Sequence, residues 1–216
     1  MKNIKDELQN IILGNGEVGA KSRLKKVQIF LRRHAEASSS TQKQQYFKSK
    51  EAAELVNFAR KKKLFYEKEI NEDDFIGSGA EQRVYRLSET HVIKTNGGIF
   101  YEYWIDYFNS LLIHNYFFPS TTYTFLGFRI NDNDLHAVVR QKFIGATEST
   151  DLATVKDYLT HNQFFNTRNN DYANTDLGLI FEDLHDENVL SKNSVLRFID
   201  TIFYLTPEFY LKDALS

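Results

Sequence analysis

The sequence predicts an α+β fold with antiparallel sheets. Residues 1–70 carry apolar side chains at helical spacing, while the stretch from Phe75 to Ile144 breaks into short apolar runs punctuated by turn residues. A final hairpin pattern, NVL–SKNS–VLRFID, takes the chain almost to its end. In the first segment Leu24, Val27, Phe30, Leu31 and His34 form one helical stripe, and Ala52, Leu55, Val56 and Ala59 a second, with Ser38 to Thr41 expected to part them. Two strands are expected in FIGSGAEQRVYRL, followed by the turn SETH and the strand VIK. A helix over Tyr101 to Tyr116 would bury Tyr101, Trp104, Ile105, Phe108, Leu111 and Leu112. TTYTFLGFRI and LHAVVRQKFI read as strands around a turn at Asn131 to Asp134. Asp151 reads as the N-cap of a helix reaching about Phe165, and NTRNNDYANTD as a polar loop. In the last hairpin a turn over Ser191 to Ser194 would set Leu190 opposite Val195 and Asn188 opposite Arg197, with Asp200 about 10 Å further along.

At 216 residues and 42% hydrophobic, with 18 Phe and 12 Tyr, the chain has enough apolar area for a real core. It has no cysteine, which excludes disulfides, thiolate catalysis and Cys-ligated zinc. The start shows no signal-peptide pattern, Met1 speaks against truncation at that end, and no apolar run is long enough to span a membrane. A cytoplasmic, soluble protein is expected. Charge is uneven: residues 1–70 hold 16 Lys and Arg against 8 Asp and Glu, a net of +8, while the remaining residues sum to −10. That basic arm is expected to be a solvated helical extension, with contact to nucleic acid the weaker alternative. Ser38 to Gln45, SSSTQKQQ, is the one low-complexity patch.

Three motifs bear on chemistry. GNGEVG, Gly14 to Gly19, has the spacing of a dinucleotide fingerprint but lacks the strand before it, so it reads as a helix break. Gly77-Ser78-Gly79, placed between strands, would let backbone N–H groups approach a polyphosphate. Ten residues beyond Val84, Lys94 ends the apolar run VIK, where it serves either as a strand-edge solubiliser or as a point charge for phosphate. LIFEDLHDENVL, Leu179 to Leu190, places Asp183 and Asn188 at the rim of a core, and the hairpin carries Asp200 back towards them. Oxygen donors without imidazole or thiolate suit Mg²⁺: Asn188 and Asp200 would hold it, and Asp183 would orient a hydroxyl and accept its proton. A capped loop whose carboxylates accept backbone N–H groups is the bland alternative. The order of the elements (glycine hairpin, strand lysine, helix, two strands, acidic loop, aspartate-ending strand) favours a bilobal phosphotransferase.

This constellation resembles the protein-kinase-like superfamily from Phe75 onward. DLHDEN is closer to the catalytic loop of aminoglycoside phosphotransferases than to that of ordinary protein kinases. The set GSGAEQRVY, VIK, LLIHNYFFPSTTY, GF, DLHDENVL and FID looks most like the serine/threonine/tyrosine kinase domain of polyvalent proteins from bacterial mobile elements. The resemblance implies a basic helical extension (1–70), an N-lobe with an antiparallel sheet (71–144) and a much reduced C-lobe (145–216). It implies ATP and Mg²⁺ as cofactors and a protein or small-molecule hydroxyl as acceptor. Gly77, Ser78, Gly79 and Val84 would cover the nucleotide. Lys94 would meet the α/β-phosphates, with Glu102, or Asp106 in reserve, as its acidic partner. Gln141, Lys142 and Phe143 would form the hinge that meets adenine through backbone groups, Asp183 would be the catalytic aspartate, and Asn188 with Asp200 would bind the metal. The chain departs from the family's usual pattern at Gln82, at Phe181-Glu182, at Thr201-Ile202 and in having sixteen residues after Asp200. Those departures motivate an alternative, a pseudokinase or interaction module that keeps the fold and binds a partner or nucleic acid without catalysis; a third reading is an ordinary α+β domain whose glycine and acidic loops are only turns.

Overall fold

The computed structural model describes residues 4–14, 22–40, 48–79 and 82–211. Met1, most of GNGEVG, the end of the Ser/Gln patch and the tip of the glycine hairpin (Ala80 and Glu81) lie outside the described residues. The fold is mixed α/β with antiparallel sheets, and the chain clusters into two compact units. One is drawn from Met1–Gly16, Asn109–Thr121 and Ile144–Ser216, the other from Glu17–Phe108 and Thr122–Phe143.

The second unit is built on a five-stranded sheet in the order β1-β2-β3-β5-β4. Its strands are β1 (Phe75–Ser78), β2 (Gln82–Arg86), β3 (His91–Asn96), β4 (Thr124–Asn131) and β5 (Asp134–Lys142). Asp132 and Asn133 both have positive φ, so β4 and β5 meet in the tight two-residue turn expected there. Three helices touch this unit: α2 (Arg23–Ser40), α3 (Lys48–Lys62) and the start of α4 (Trp104–Phe117). α2 runs through Ser38 to Ser40, so these serines do not part the helices as the sequence suggested. After α3 the chain extends. Tyr66 N–H donates to Phe128 O and Phe128 N–H to Leu64 O, each at 2.8 Å. This close approach needs Gly127: a Cβ there would stand 2.4 Å from Leu64 O.

The first unit holds a four-stranded sheet in the order β11-β8-β7-β6 and a separate β9–β10 hairpin. The strands are β6 (Phe165–Arg168), β7 (Asp171–Asn174), β8 (Leu179–Glu182), β9 (Val189–Lys192), β10 (Val195–Phe198) and β11 (Ile202–Leu205). Its helices are α1 (Ile4–Leu13), the later part of α4, and α5 (Leu152–His161). Leu8, Ile12, Ile113, Leu159, Phe181, Phe198, Phe203 and Phe209 share one buried cluster, with Phe181 and Phe203 stacked at 4.1 Å.

Four expectations about elements are corrected. NTRNNDYANTD is not a loop but supplies most of the β6–β7 hairpin, whose turn residue Asn169 has φ 45°. α5 stops at His161 because Gln163 turns left-handed at φ 64° and Phe164 N–H closes onto Leu159 O. α4 begins at Trp104, not Tyr101, whose N–H closes a separate turn onto Gly98 O. Glu51 of α3 accepts from the N–H groups of Trp104 and Ile105, capping the helix from outside. The final hairpin turns at Asn193-Ser194, both with positive φ, and pairs Lys192 with Val195 and Leu190 with Arg197. That shift of two residues preserves which side chains share a face.

Candidate active site

The β6–β7 hairpin explains how the chain holds its acidic loop. Asp183 follows β8 with φ 65°, a left-handed conformation that costs a non-glycine residue on the order of 1 kcal/mol unless the surroundings impose it. They do. Asp183 N–H donates to Asp171 Oδ1 at 3.1 Å, and Leu184 N–H to Asn170 O at 3.1 Å. Leu184 beside it is buried, while the Asp183 carboxylate stays exposed. Asp171 was not singled out from the sequence; the only signal was an acidic residue inside a polar stretch.

Asn188 joins the loop's ends. Its Nδ2 donates to Asp183 O at 2.8 Å and to Asp183 Oδ2 at 2.9 Å. His185 accepts from Glu187 N–H at Nδ1, and its Nε2 lies 3.4 Å from Asp183 Oδ1. Glu182, half-buried, has its carboxyl pushed up, first by burial and then by the nearby charge of Asp171. Asn188 O accepts from Ile199 N–H at 2.9 Å and from Asp200 N–H at 3.3 Å. The corrected hairpin register thus brings Asp200 directly onto Asn188, nearer than the expected separation. Asn188 is thus bonded to Asp183 through its side chain and to Asp200 through its backbone.

A buried polar network fixes the backbone around Asp200. His114 on α4 is fully buried; its Nε2 lies 2.9 Å from Thr121 O and its Nδ1 2.7 Å from Thr201 Oγ1. A carbonyl only accepts, so Nε2 carries the proton and Nδ1 accepts from the Thr201 hydroxyl. Ser110 Oγ lies 3.4 Å from Thr201 O and accepts from Phe203 N–H at 3.0 Å. Thr121 Oγ1 donates to Phe198 O at 2.7 Å. Residues 198, 201 and 203 are tied down around Asp200, so Thr201, which follows it directly, has an anchoring role of its own. The His114 ring thus links the turn after α4, at Thr121, to the residue that follows Asp200.

The second unit carries the other group of candidates. Gly77 pairs with Val84, Val84 with Lys94, and Lys94 with Val139. Directly opposed residues of antiparallel strands point to the same face, so Val84 and Lys94 project together beneath the glycine hairpin. Gly79 N–H closes onto Gln82 O at 3.0 Å, and a Cβ at Gly77 or Gly79 would meet nothing within 4 Å. Neither crowding nor positive φ within the protein asks for glycine at these two positions. Ser78 is exposed. Lys94 is buried, its ammonium 5.5 Å from the Tyr123 ring centre. Glu102 is exposed in the turn before α4 and is hydrogen-bonded to the Tyr103 hydroxyl. Asp106, half-buried in the first turn, accepts from Tyr103 N–H, and burial pushes its carboxyl up to about 6. At the end of β5 Gln141 is buried and Lys142 exposed. Phe143 N–H is already committed to Thr90 O at 2.9 Å, and the Phe143 ring lies under the Arg86 guanidinium.

The donor set fits magnesium. Asn188 Nδ2 is engaged by Asp183, which leaves Asn188 its amide oxygen as a candidate ligand atom, and Asp200 is an oxygen-donor residue whose backbone is bonded to Asn188. Among the described residues no group of three or more His, Asp or Glu side chains gathers as a metal cage. Mg²⁺ asks for no such cage, since it takes one or two protein oxygens and completes its shell with water and phosphate.

The glycine hairpin, the strand lysine and the acidic loop define a kinase-like domain. Residues 48–207 match the family model of the serine/threonine/tyrosine kinase found in polyvalent proteins, and the chain belongs to that family. The match begins at α3, so this helix lies inside the family's span. No curated protein and no solved structure matched the chain. Among the described residues no helix is long and apolar enough to cross a membrane.

Proposed function

We propose that the protein is an ATP- and Mg²⁺-dependent phosphotransferase acting on a protein or small-molecule hydroxyl, with the bilobal plan and reduced C-lobe of the kinase-like superfamily. The observation that carries this reading is the joining of Asp183, Asn188 and Asp200 by hydrogen bonds through Asn188.

Asp183 accepts the acceptor hydroxyl's proton as that oxygen bonds to the γ-phosphorus and the bond to the β–γ bridging oxygen breaks, releasing ADP. Asn188 holds Asp183 Oδ2, turning the carboxylate towards the hydroxyl. Asn188 and Asp200 would hold Mg²⁺, which would supply positive charge to offset that of the phosphates. Lys94 supplies a cation to the α/β-phosphates, on the sheet face it shares with Val84. Gly77, Ser78 and Gly79 cover those phosphates with backbone N–H groups. Glu102 or Asp106 would be the acidic partner of Lys94; Asp106 is half-buried on the helix and Glu102 exposed ahead of it. Gln141, Lys142 and Phe143 would meet adenine through backbone groups, of which the Phe143 N–H is already donated to Thr90 O.

Incubation with γ-labelled ATP and Mg²⁺ tests the reading. Labelled protein or released phosphate is expected, falling roughly 10²–10⁴-fold in Asp183→Asn. Equal turnover by wild type and variant would overturn it.

A further inference from the structure

A groove of about 570 Å³ lies within the second unit between α2 and α3, and none of the residues in the proposed phosphotransfer machinery lines it. Its floor is apolar: Ile29, Phe30, Phe58 and Leu64. Phe30 and Phe58 stack face to face at 4.1 Å and 15°, fixing the two helices at that depth. The rim is cationic, with Arg23, Lys26, Arg33, Lys62 and Lys63 all exposed and no acidic residue among the lining. Arg23 also donates to Leu126 O at 2.8 Å, which leaves Lys26, Arg33, Lys62 and Lys63 as the cations directed at a ligand.

We propose that this groove docks an acidic amphipathic peptide segment of a partner protein, one apolar side chain on the floor and flanking carboxylates on the rim. Charge complementarity selects the occupant: four cations around an apolar centre match Glu or Asp placed before and after a Leu or Phe. The floor argues against nucleic acid. Its two rings spend faces on each other, and Ile29 and Leu64 offer no stacking surface for bases. A concave site with a recessed floor also fits a protruding side chain better than a flat bilayer. Bound there, a peptide would tether a partner to the catalytic domain without occupying the phosphotransfer site.

Fluorescence anisotropy on the full chain tests this with four labelled probes. They are a 14-residue Glu peptide with Leu or Phe at every third or fourth position, its Glu→Gln counterpart, oligo-dT of similar length, and phosphatidylserine vesicles. The acidic peptide is expected to bind saturably and more weakly as salt rises. The double variant Arg33→Glu/Lys62→Glu should lose at least about tenfold in affinity, near 1.4 kcal/mol. Phe58→Ala should weaken binding as well, and Asp183→Asn should leave it unchanged. Lys26→Glu, a single change at an exposed residue, guards against misfolding of the double variant and should lower affinity in the same direction. No binding of the acidic peptide, equal binding of the Gln peptide, undiminished binding by the charge variants, or binding of oligo-dT or vesicles in place of peptide would each overturn the proposal.

Discussion

At the scale of single residues, the acidic loop depends on contacts that a list of carboxylates does not contain. Asp171 holds the Asp183 amide, so Asp171→Ala should lower turnover while leaving the Asp183 carboxylate chemically intact. A loss of about tenfold in kcat with little change in the KM for ATP is expected from steady-state kinetics. Asp106 gives a pH signature. Its folded carboxyl titrates near 6 against an ordinary value of 3.8, so between those values the folded state binds the extra proton. Its contribution is therefore fully present below about pH 4 and lost as pH rises through 6. Asp106→Asn keeps an acceptor for Tyr103 N–H and should raise stability by roughly 1–2 kcal/mol at pH 7.5, with the gain vanishing near pH 4. Melting temperatures of both proteins across that range measure it.

At the scale of elements, the strands were legible wherever apolar residues met a recognisable turn. The glycine hairpin, the VIK strand, the two strands around Asn131 to Asp134 and the last hairpin all appear. The β6–β7 hairpin escaped because its sequence is mostly polar and β6 is exposed along its length, so no periodicity marked it. α4 lost its first turn because its cap comes from Glu51, a residue fifty-three positions away that no local pattern connects to it. The acidic loop was readable as a candidate from residue type, spacing and the order of the elements around it. Its support by Asp171, His114, Ser110 and Thr201 was not, since each reaches the site through tertiary hydrogen bonds. The turn between β9 and β10 offers a direct check. Ser194 sits at φ 58°, where glycine is at ease, so Ser194→Gly should stabilise by about 0.5–1 kcal/mol in denaturant titration.

At the scale of the whole molecule, each unit has its own core, and the first is assembled from three separated stretches of chain. α1 belongs to that core although the family match begins only at residue 48. Leu8 and Ile12 are buried in it, and Tyr116 donates to Glu7 at 2.7 Å. Leu8→Ala should cost about 2–5 kcal/mol, read as a lowered melting temperature, despite lying outside the matched span. Trp104, the sole tryptophan, is buried in the second unit, so its fluorescence reports that unit's unfolding.

α1 also meets the far end of the chain: Gln9 Nε2 donates to Phe209 O at 2.6 Å, and Gly178 leaves room for the Phe209 backbone where a Cβ would stand 2.1 Å from its nitrogen. α1 must therefore wait for residues two hundred positions further on before its apolar face is covered. At roughly 5–20 residues per second on the ribosome, that delay is on the order of 10–40 s. During it the nascent chain displays Leu8 and Ile12 to whatever holdase or neighbour is at hand, so the yield of this protein in a cell depends on protection at its birth.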